Sequence, residues 1–285
     1  MLDLQLREEY RDIPVSRIDD VYSGKTEIYE RYYQVGDHES VPSVTTVLEM
    51  IAKPRLRDWK MNMALNYLKG KYEARQWDAR IAIPPWERYP SSKRAQSFRR
   101  RVTTTWRDAL ASLRRNAKAH PNRVRDEAGD IGTQIHEAIS AEMQGEHWEP
   151  VTPAAAVAMQ SYRLWREDSA IVPLWTEQTV WSLEHGYAGS VDLVGMEGEQ
   201  LVVLDWKTGS GVHNEAALQV AAYANAIEEL TGQAADTCSV IHLDKDSPGW
   251  REYRVYDWRR SFDVFLGALN TWKLWHDGVF ATHDC

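Results

Sequence analysis

Two aspartates and a lysine within residues 186–223 are the side chains of this sequence best suited to chemistry. Asp192 interrupts one apolar run, and Asp205 and Lys207 end a second run after a short turn. The pattern predicts an antiparallel hairpin. A carboxylate in strand-like apolar sequence is costly to bury unless a cation, a proton or hydrogen bonds compensate it. A metal ion is the simplest compensation.

A helix is expected after this hairpin. Residues 208–211 form a turn-rich break, Asn214 can cap the helix that follows, and Gly232 marks its end. Gln219 and Tyr223 are four positions apart, so they share one face of the helix. The hairpin and the helix together predict a strand, strand and helix arrangement that carries acidic, basic and amide groups.

This order of Asp, Asp-x-Lys and Gln-x-x-x-Tyr resembles the core of the PD-(D/E)XK nucleases, in particular the RecB-type exonuclease branch. The residues that carry the resemblance are Asp192, Asp205, Lys207, Gln219 and Tyr223. The resemblance covers about residues 126–245. It implies an α/β fold, a restriction-endonuclease-like core with a mixed central sheet flanked by helices, here with an N-terminal helical extension.

The resemblance also implies further ligands for the metal. RecB-type enzymes place a histidine from a preceding helix at the metal within a Gly-x-x-x-His pattern, which Gly132 and His136 match. The family also uses the backbone carbonyl of the residue between the Asp and the Lys, here Trp206. Glu177, on the strand before Asp192, is a candidate outer ligand or a hydrogen-bonding partner of a ligand.

Hydrolysis of a phosphodiester needs an activated water, charge neutralisation at the phosphate and stabilisation of the leaving oxygen, and metal-bound carboxylates can organise all three. Oxygen ligands from Asp192 and Asp205 suit Mg²⁺ or Mn²⁺, and an imidazole ligand favours Mn²⁺ somewhat. Lys207 shares a strand face with Asp205 and can orient the water or stabilise the transition state. By resemblance, Gln219 and Tyr223 position the substrate or the catalytic residues.

The charge of the chain is unevenly distributed. The net charge is −8, yet residues 91–125 carry eleven basic side chains and one acid. Apolar residues at helical spacing predict an amphipathic basic helix that ends at Pro121, with a second helix from Asp126 to Met143. A solvated helix face and contact with a phosphate backbone are equally compatible readings. The candidate nucleic-acid-binding residues are Arg94, Arg99, Arg100, Arg101, Arg107, Arg114 and Arg115.

The distribution of charge and predicted helices suggests two parts of the chain. An N-terminal hairpin and a basic, helical extension occupy residues 1–125 and are expected to pack on a nuclease core in residues 126–285.

Only two cysteines occur, so an iron–sulfur cluster with four cysteine ligands is excluded. No run has the length of a transmembrane helix, and the N-terminus lacks the regions of a signal peptide. We therefore expect no membrane association and a cytoplasmic location, that of the bacterial host if the protein is phage-encoded.

These observations predict a divalent-metal-dependent deoxyribonuclease. The resemblance to the RecB-type branch implies an exonuclease that acts on single- or double-stranded DNA ends in recombination, repair or phage DNA metabolism, with a recombination or replication protein as a partner. A structure-specific endonuclease on the same fold is the nearest alternative. A catalytically silent nucleic-acid-binding module would normally have lost Asp205 or Lys207, and both are present. A phage structural or assembly protein would not need this set of side chains.

Overall fold

A computed structural model of the chain describes residues 4–23, 28–51, 54–73, 95–149 and 152–277. The chain divides into two compact units. The first unit comprises residues 1–52 and 131–285, and the second comprises residues 53–130. Arg94 lies outside the described residues.

The first unit contains the strands, and the helices are spread over both units. The strands are β1 (Val15–Ser23), β2 (Ile28–Val35), β3 (Val41–Pro42), β4 (Val172–Ser182), β5 (Tyr187–Glu197), β6 (Gln200–Lys207), β7 (Thr237–Leu243) and β8 (Trp250–Arg254). The helices are α1 (Val44–Leu48), α2 (Pro54–Glu73), α3 (Ala95–Met143), α4 (Pro153–Asp168), α5 (Asn214–Thr231) and α6 (Trp258–Asp277), with a 3₁₀ turn at Glu8–Tyr10.

The central sheet has five strands in the order β4-β5-β6-β7-β8. Strands β6 and β7 are parallel, and the other neighbouring pairs are antiparallel. A parallel pair needs a long crossover connection, and α5 supplies it between β6 and β7. The mixed sheet flanked by helices confirms the predicted α/β fold class, and β5 and β6 form the predicted hairpin.

The central strands are buried on both faces. Val203 of β6 packs in one cluster with α5 and α6, which includes Ala221 and Phe265. The next residue, Leu204, packs in a second cluster with the C-terminal part of α3 and with α4, which includes Trp165. Successive side chains of a strand point to opposite faces, so β6 is covered by helices on both sides.

The first strands form a separate antiparallel sheet in the order β1-β2-β3. Tyr33 and Val35 of β2 belong to the core cluster of the central sheet, and Ser43 forms an isolated bridge with Ala188 of β5. Ser43 also caps α1 by accepting a hydrogen bond from the Thr46 amide. These contacts group residues 4–51 with the central sheet, which differs from the division at residue 125 expected from the sequence.

Two local predictions about helix ends are wrong. Helix α3 has 49 residues and continues through Pro121, where the sequence predicted an end. An internal proline costs about 3 kcal/mol, and the burial of Pro121 and Ala117 contributes apolar packing that offsets this cost. Helix α5 is preceded by His213 as its N-cap, whereas Asn214 was expected. Gly232 ends α5 in a left-handed conformation, as predicted.

Among the helices in the described part of the chain, none combines the length and the apolar character needed to cross a bilayer.

Candidate metal and catalytic site

The hairpin of β5 and β6 places the two aspartates side by side. Leu193 pairs with Leu204, so the next positions towards the open end of the hairpin are Asp192 and Asp205. Their exposed fractions are 6% and 0%. Two neighbouring carboxylates at this depth repel each other and need compensating groups, which the structure supplies differently for each of them.

Asp192 has two compensating contacts. Its Oδ1 lies 3.2 Å from His136 Nδ1, and its Oδ2 accepts a hydrogen bond of 2.7 Å from the Trp206 amide. Burial acts to raise the pKa of Asp192, but the charge and hydrogen bond of His136, with smaller contributions from Lys207 and the Trp206 amide, lower it below the usual value. Asp192 is therefore a carboxylate that stays ionised in the interior.

Asp205 has one charged partner. Lys207 Nζ lies 2.5 Å from Asp205 Oδ2, and Oδ1 has no hydrogen-bond partner among the described residues. Burial, aided by the charge of Asp192, raises the pKa of Asp205 to about 6 against the attraction of Lys207. A buried oxygen without a donor is a position that a cation can fill.

His136 connects the helix layer to these carboxylates. It lies on α3, and its Nδ1 is also 3.6 Å from Glu177 Oε1. Burial acts to lower the pKa of His136, but the attraction of Asp192 and the hydrogen bonds to Asp192 and Glu177 raise it to about 10. Without a metal the imidazole therefore carries a proton and serves as the cation between the acids.

A set of metal-ligand atoms is already assembled at this point. His136, Glu177 and Asp192 each offer one ligand atom, and these atoms lie within 4.8 Å of one another. Oxygen atoms from two acids and one imidazole nitrogen are suitable ligands for Mn²⁺ and, with more water, for Mg²⁺. This donor set fits a divalent cation, and Asp205, whose Oδ1 has no hydrogen-bond partner among the described residues, is not part of the set.

Glu177 has an unusual backbone. Its φ is +48°, and it is the one non-glycine residue with a positive φ in the described ranges of the chain. The neighbouring pairs Thr176–Leu193 and Gln178–Val191 place Glu177 opposite Asp192. A left-handed conformation at a residue with a side chain costs about 1–2 kcal/mol, and such strain clusters at functional sites.

Gln219 and Tyr223 lie on α5, which packs on the same hairpin. Gln219 Nε2 donates a hydrogen bond of 3.0 Å to the Tyr223 hydroxyl oxygen. Tyr223 is 3% exposed, and burial, followed by the charges of Asp205 and Asp192, raises its pKa well above the usual value. The phenol is therefore neutral and keeps its proton.

The Trp206 ring anchors β6 beneath the site. It packs edge-on against Trp165, with ring centroids 4.7 Å apart, and against Tyr162 at 5.8 Å. This packing fixes the backbone between Asp205 and Lys207, whose amide already contacts Asp192. The role of the Trp206 carbonyl as a metal ligand stays a prediction.

The basic residues predicted to bind nucleic acid lie on α3, in the unit of residues 53–130, except for Arg94. Arg114 and Arg115 are exposed. The side chains of Arg99, Arg100, Arg101 and Arg107 lie outside what the structure describes, although their helix is described.

Two residues that the sequence analysis did not select also belong to this region. Ser190 Oγ lies 3.5 Å from Glu177 Oε2, and Gly189 packs directly against the Tyr223 ring. Ser190 is two positions before Asp192 and so shares its strand face, but this spacing alone is only a weak indication in the sequence that Ser190 belongs to the site. Gly189 has a stronger one, because a glycine inside an apolar strand often marks a close approach of another group.

Buried acids beside a lysine and an imidazole at one end of a mixed sheet are the arrangement of a metal-dependent hydrolase. The profile of the PD-(D/E)XK nuclease superfamily matches residues 93–255, which is more than half of the chain. The chain therefore belongs to the PD-(D/E)XK nuclease superfamily. Members of this superfamily are generally nucleases that use divalent metals and act on DNA.

The other comparisons add little to this assignment. No curated protein matches the chain. The crystal structure of SSO0001 is similar over 50% of this chain and 75% of its own, with 10% sequence identity and a TM-score of 0.26. A similarity at this level carries no argument about activity.

Proposed function

We propose that this protein is a divalent-metal-dependent DNA exonuclease that acts in recombination, repair or phage DNA metabolism. The observation that carries the proposal is the pair of buried aspartates, one joined to His136 and the other left with an unpartnered oxygen. Such an arrangement is expensive to maintain for stability alone and is suited to binding a cation. The exonuclease assignment rests on the resemblance to the RecB-type branch.

The residues that would hold Mg²⁺ or Mn²⁺ are His136, Asp192, Asp205 and the Trp206 carbonyl, with Glu177 as an additional or outer ligand. When bound, the metal supplies an activated water and neutralises charge at the phosphate. The assembled ligand atoms of His136, Glu177 and Asp192 support this assignment. Asp192 is ionised before the metal arrives, so it needs no proton loss to become a ligand.

Lys207 supplies positive charge at its Nζ. The ion pair with Asp205 holds this atom at the end of β6. Desolvation acts to lower the pKa of Lys207, but the negative charges of Asp205 and Asp192 raise it above the usual value. A lysine that stays charged at neutral pH can stabilise the negative charge that grows on the phosphate or orient the attacking water. We assign Lys207 this electrostatic role.

Tyr223 and Gln219 act on the substrate in this proposal. The Gln219 amide uses the hydroxyl oxygen of Tyr223 as its acceptor, so the phenol proton must be donated to another group. Among the described residues, the structure shows no hydrogen bond donated by the Tyr223 hydroxyl. A phosphate oxygen of the nucleic acid is an acceptor of the right chemistry, and we assign Tyr223 the role of orienting it.

The basic face of α3 is the proposed contact for the nucleic-acid backbone. Arg114 and Arg115 are exposed side chains on a helix with many basic residues in an otherwise acidic protein. Contacts of this kind are independent of sequence and weaken as salt concentration rises. DNA affinity that falls by at least tenfold between about 50 and 200 mM salt would support this role.

The test of the proposed activity is degradation of end-labelled linear single- and double-stranded DNA beside a closed circle, with Mg²⁺, Mn²⁺ or EDTA. Wild type, Asp205→Asn and the exposed control Asp263→Asn on α6 are compared. Loss of linear DNA with metal, retention of the circle and inactivity of Asp205→Asn alone support the exonuclease. Cleavage of the circle identifies an endonuclease, and no cleavage by folded wild type contradicts a nuclease activity.

A further inference from the structure

Gly189 of β5 lies directly against the ring of Tyr223. A Cβ atom at Gly189 would lie 2.5 Å from Tyr223 Cε1 and 3.4 Å from both Cζ and the hydroxyl oxygen. The φ of Gly189 is not in the left-handed region, so the backbone conformation would accept any residue. The space occupied by Tyr223 is therefore what excludes a side chain at this position.

Tyr223 cannot yield to an added methyl group without disturbing the packing around it. The ring is 3% exposed, and its neighbours on α5, Val220 and Ala224, are fully buried. The hydroxyl is bound by Gln219 as well. An alanine at position 189 would have to displace the ring, and because the ring is rigid the hydroxyl would move with it.

We propose that Gly189 is a positioning residue that sets the place of the Tyr223 hydroxyl for contact with a phosphate of the nucleic acid. This inference rests on the function proposed for Tyr223. Gly189 stands three positions before Asp192 on the same strand, so one strand carries a ligand of the metal and the surface that locates the phenol. A displacement of about 1 Å at such a group costs up to about 100-fold in rate.

The alternative is that Gly189 only avoids a clash, as any tightly packed glycine does. A second glycine on β5 provides the matched control. A Cβ at Gly195 would lie 2.6 Å from Ile171 Cγ2 and 2.8 Å from the Val172 carbonyl oxygen. Six positions along a strand are about 20 Å, so Gly195→Ala imposes the same kind of clash far from Tyr223.

The experiment compares cleavage and stability in Gly189→Ala, Tyr223→Ala, the double variant and Gly195→Ala. We expect Gly189→Ala to lower kcat about 10- to 100-fold with Mn²⁺ affinity unchanged. In the Tyr223→Ala background the added methyl has free space, so the double variant should cleave at the rate of Tyr223→Ala and melt no earlier. Gly195→Ala should lower the melting temperature and keep the kcat of the folded protein.

If Gly189→Ala lowers kcat by the same factor in wild type and in Tyr223→Ala, the inference is overturned. A loss of Mn²⁺ affinity in Gly189→Ala would also overturn it. Either result would show that the substitution distorts β5 itself. If Gly189→Ala does not fold alone, recovery of folding in the double variant supports the contact, and failure of both to fold contradicts it.

A measurement independent of cleavage separates this inference from the proposed function. Protein labelled with 3-fluorotyrosine gives a fluorine signal for Tyr223, assigned by its absence in Tyr223→Ala. Gly189→Ala should shift this signal and Gly195→Ala should not. A wild type that cleaves no nucleic acid overturns the proposed function, whereas an unshifted signal in Gly189→Ala of a cleaving protein overturns the positioning role alone.

Discussion

Asp192 and Asp205 face each other across one hairpin, yet the two sides of the site are compensated differently. On the Asp192 side, the His136 imidazolium contacts one carboxylate oxygen and the Trp206 amide contacts the other. On the Asp205 side, only Lys207 contacts the carboxylate, and one oxygen is left without a partner among the described residues. The pKa of Asp192 is lowered and the pKa of Asp205 is raised to about 6.

We infer from this difference that the Asp205 side of the proposed metal site depends more on a cation that the chain itself does not provide. Asp192 is stable as an anion because hydrogen bonds and charge offset its desolvation. Asp205 is the member of the pair for which burial dominates, so it gains most from a metal. A cation that binds the folded chain and not the unfolded chain adds to the stability of the fold by mass action.

The largest expected effect is the loss of cleavage when either aspartate becomes asparagine. Removing one electrostatic group at the reacting phosphate costs about 100- to 1000-fold in kcat, and both variants should lose at least this much. Stability should distinguish them in the metal-free protein. Asp205→Asn should unfold no earlier than wild type, whereas Asp192→Asn should lose about 1–3 kcal/mol because His136 and the Trp206 amide lose an ionised partner.

Urea unfolding with EDTA beside single-turnover cleavage measures both quantities on the same samples. The exposed variant Asp263→Asn controls for a general effect of the substitution. Equal destabilisation of both site variants would remove the distinction between the two sides.

The sequence was most informative where regular periodicity and chemistry coincided. The β5–β6 hairpin and α5 follow from alternation, a turn and a glycine cap, so Asp192, Asp205 and Lys207 could be placed together. Glu177 could be assigned to a strand, but its left-handed backbone depends on the pairing of β4 with β5, which no local pattern encodes. The continuation of α3 through Pro121 likewise depends on buried tertiary packing that overrides a local helix-breaking signal.

The pH dependence of stability should show the next largest effect. A carboxyl whose folded pKa is raised binds its proton more tightly than in the unfolded chain. The stability that this preference contributes is therefore complete below the ordinary value of 3.8 and is lost as pH rises through about 6. In EDTA, wild type should become less stable relative to Asp205→Asn by about 2–3 kcal/mol between pH 4 and pH 7.

Urea midpoints of the two proteins at several pH values measure this change. A difference in stability that stays constant with pH would show that Asp205 titrates as an ordinary carboxyl and would remove the asymmetry between the two aspartates.

His136 should contribute an effect on metal binding. Its pKa of about 10 means that the imidazole is protonated at pH 7, and an imidazole must be deprotonated to bind a metal, so binding has to release this proton. We expect Mn²⁺ affinity to rise with pH, and His136→Gln to weaken it about 10- to 100-fold while releasing fewer protons. Calorimetry in two buffers with different ionisation enthalpies counts the protons. His147→Gln, at an exposed site beside Glu149, is the control, and equal proton release from all three proteins would contradict a ligand role for His136.

The smallest effect should come from the strained backbone that brings Glu177 opposite Asp192. Glycine adopts a φ of +48° without strain, so Glu177→Gly should be more stable than Glu177→Ala by about 1 kcal/mol in the absence of metal. The neighbouring Gln178 has no positive φ, so there the order should reverse, with glycine about 0.5–1 kcal/mol less stable than alanine. Thermal unfolding of the four variants in EDTA tests both signs. The same order at both positions would show that β4 relaxes at Glu177, and that its carboxylate joins His136 and Asp192 without a cost in backbone strain.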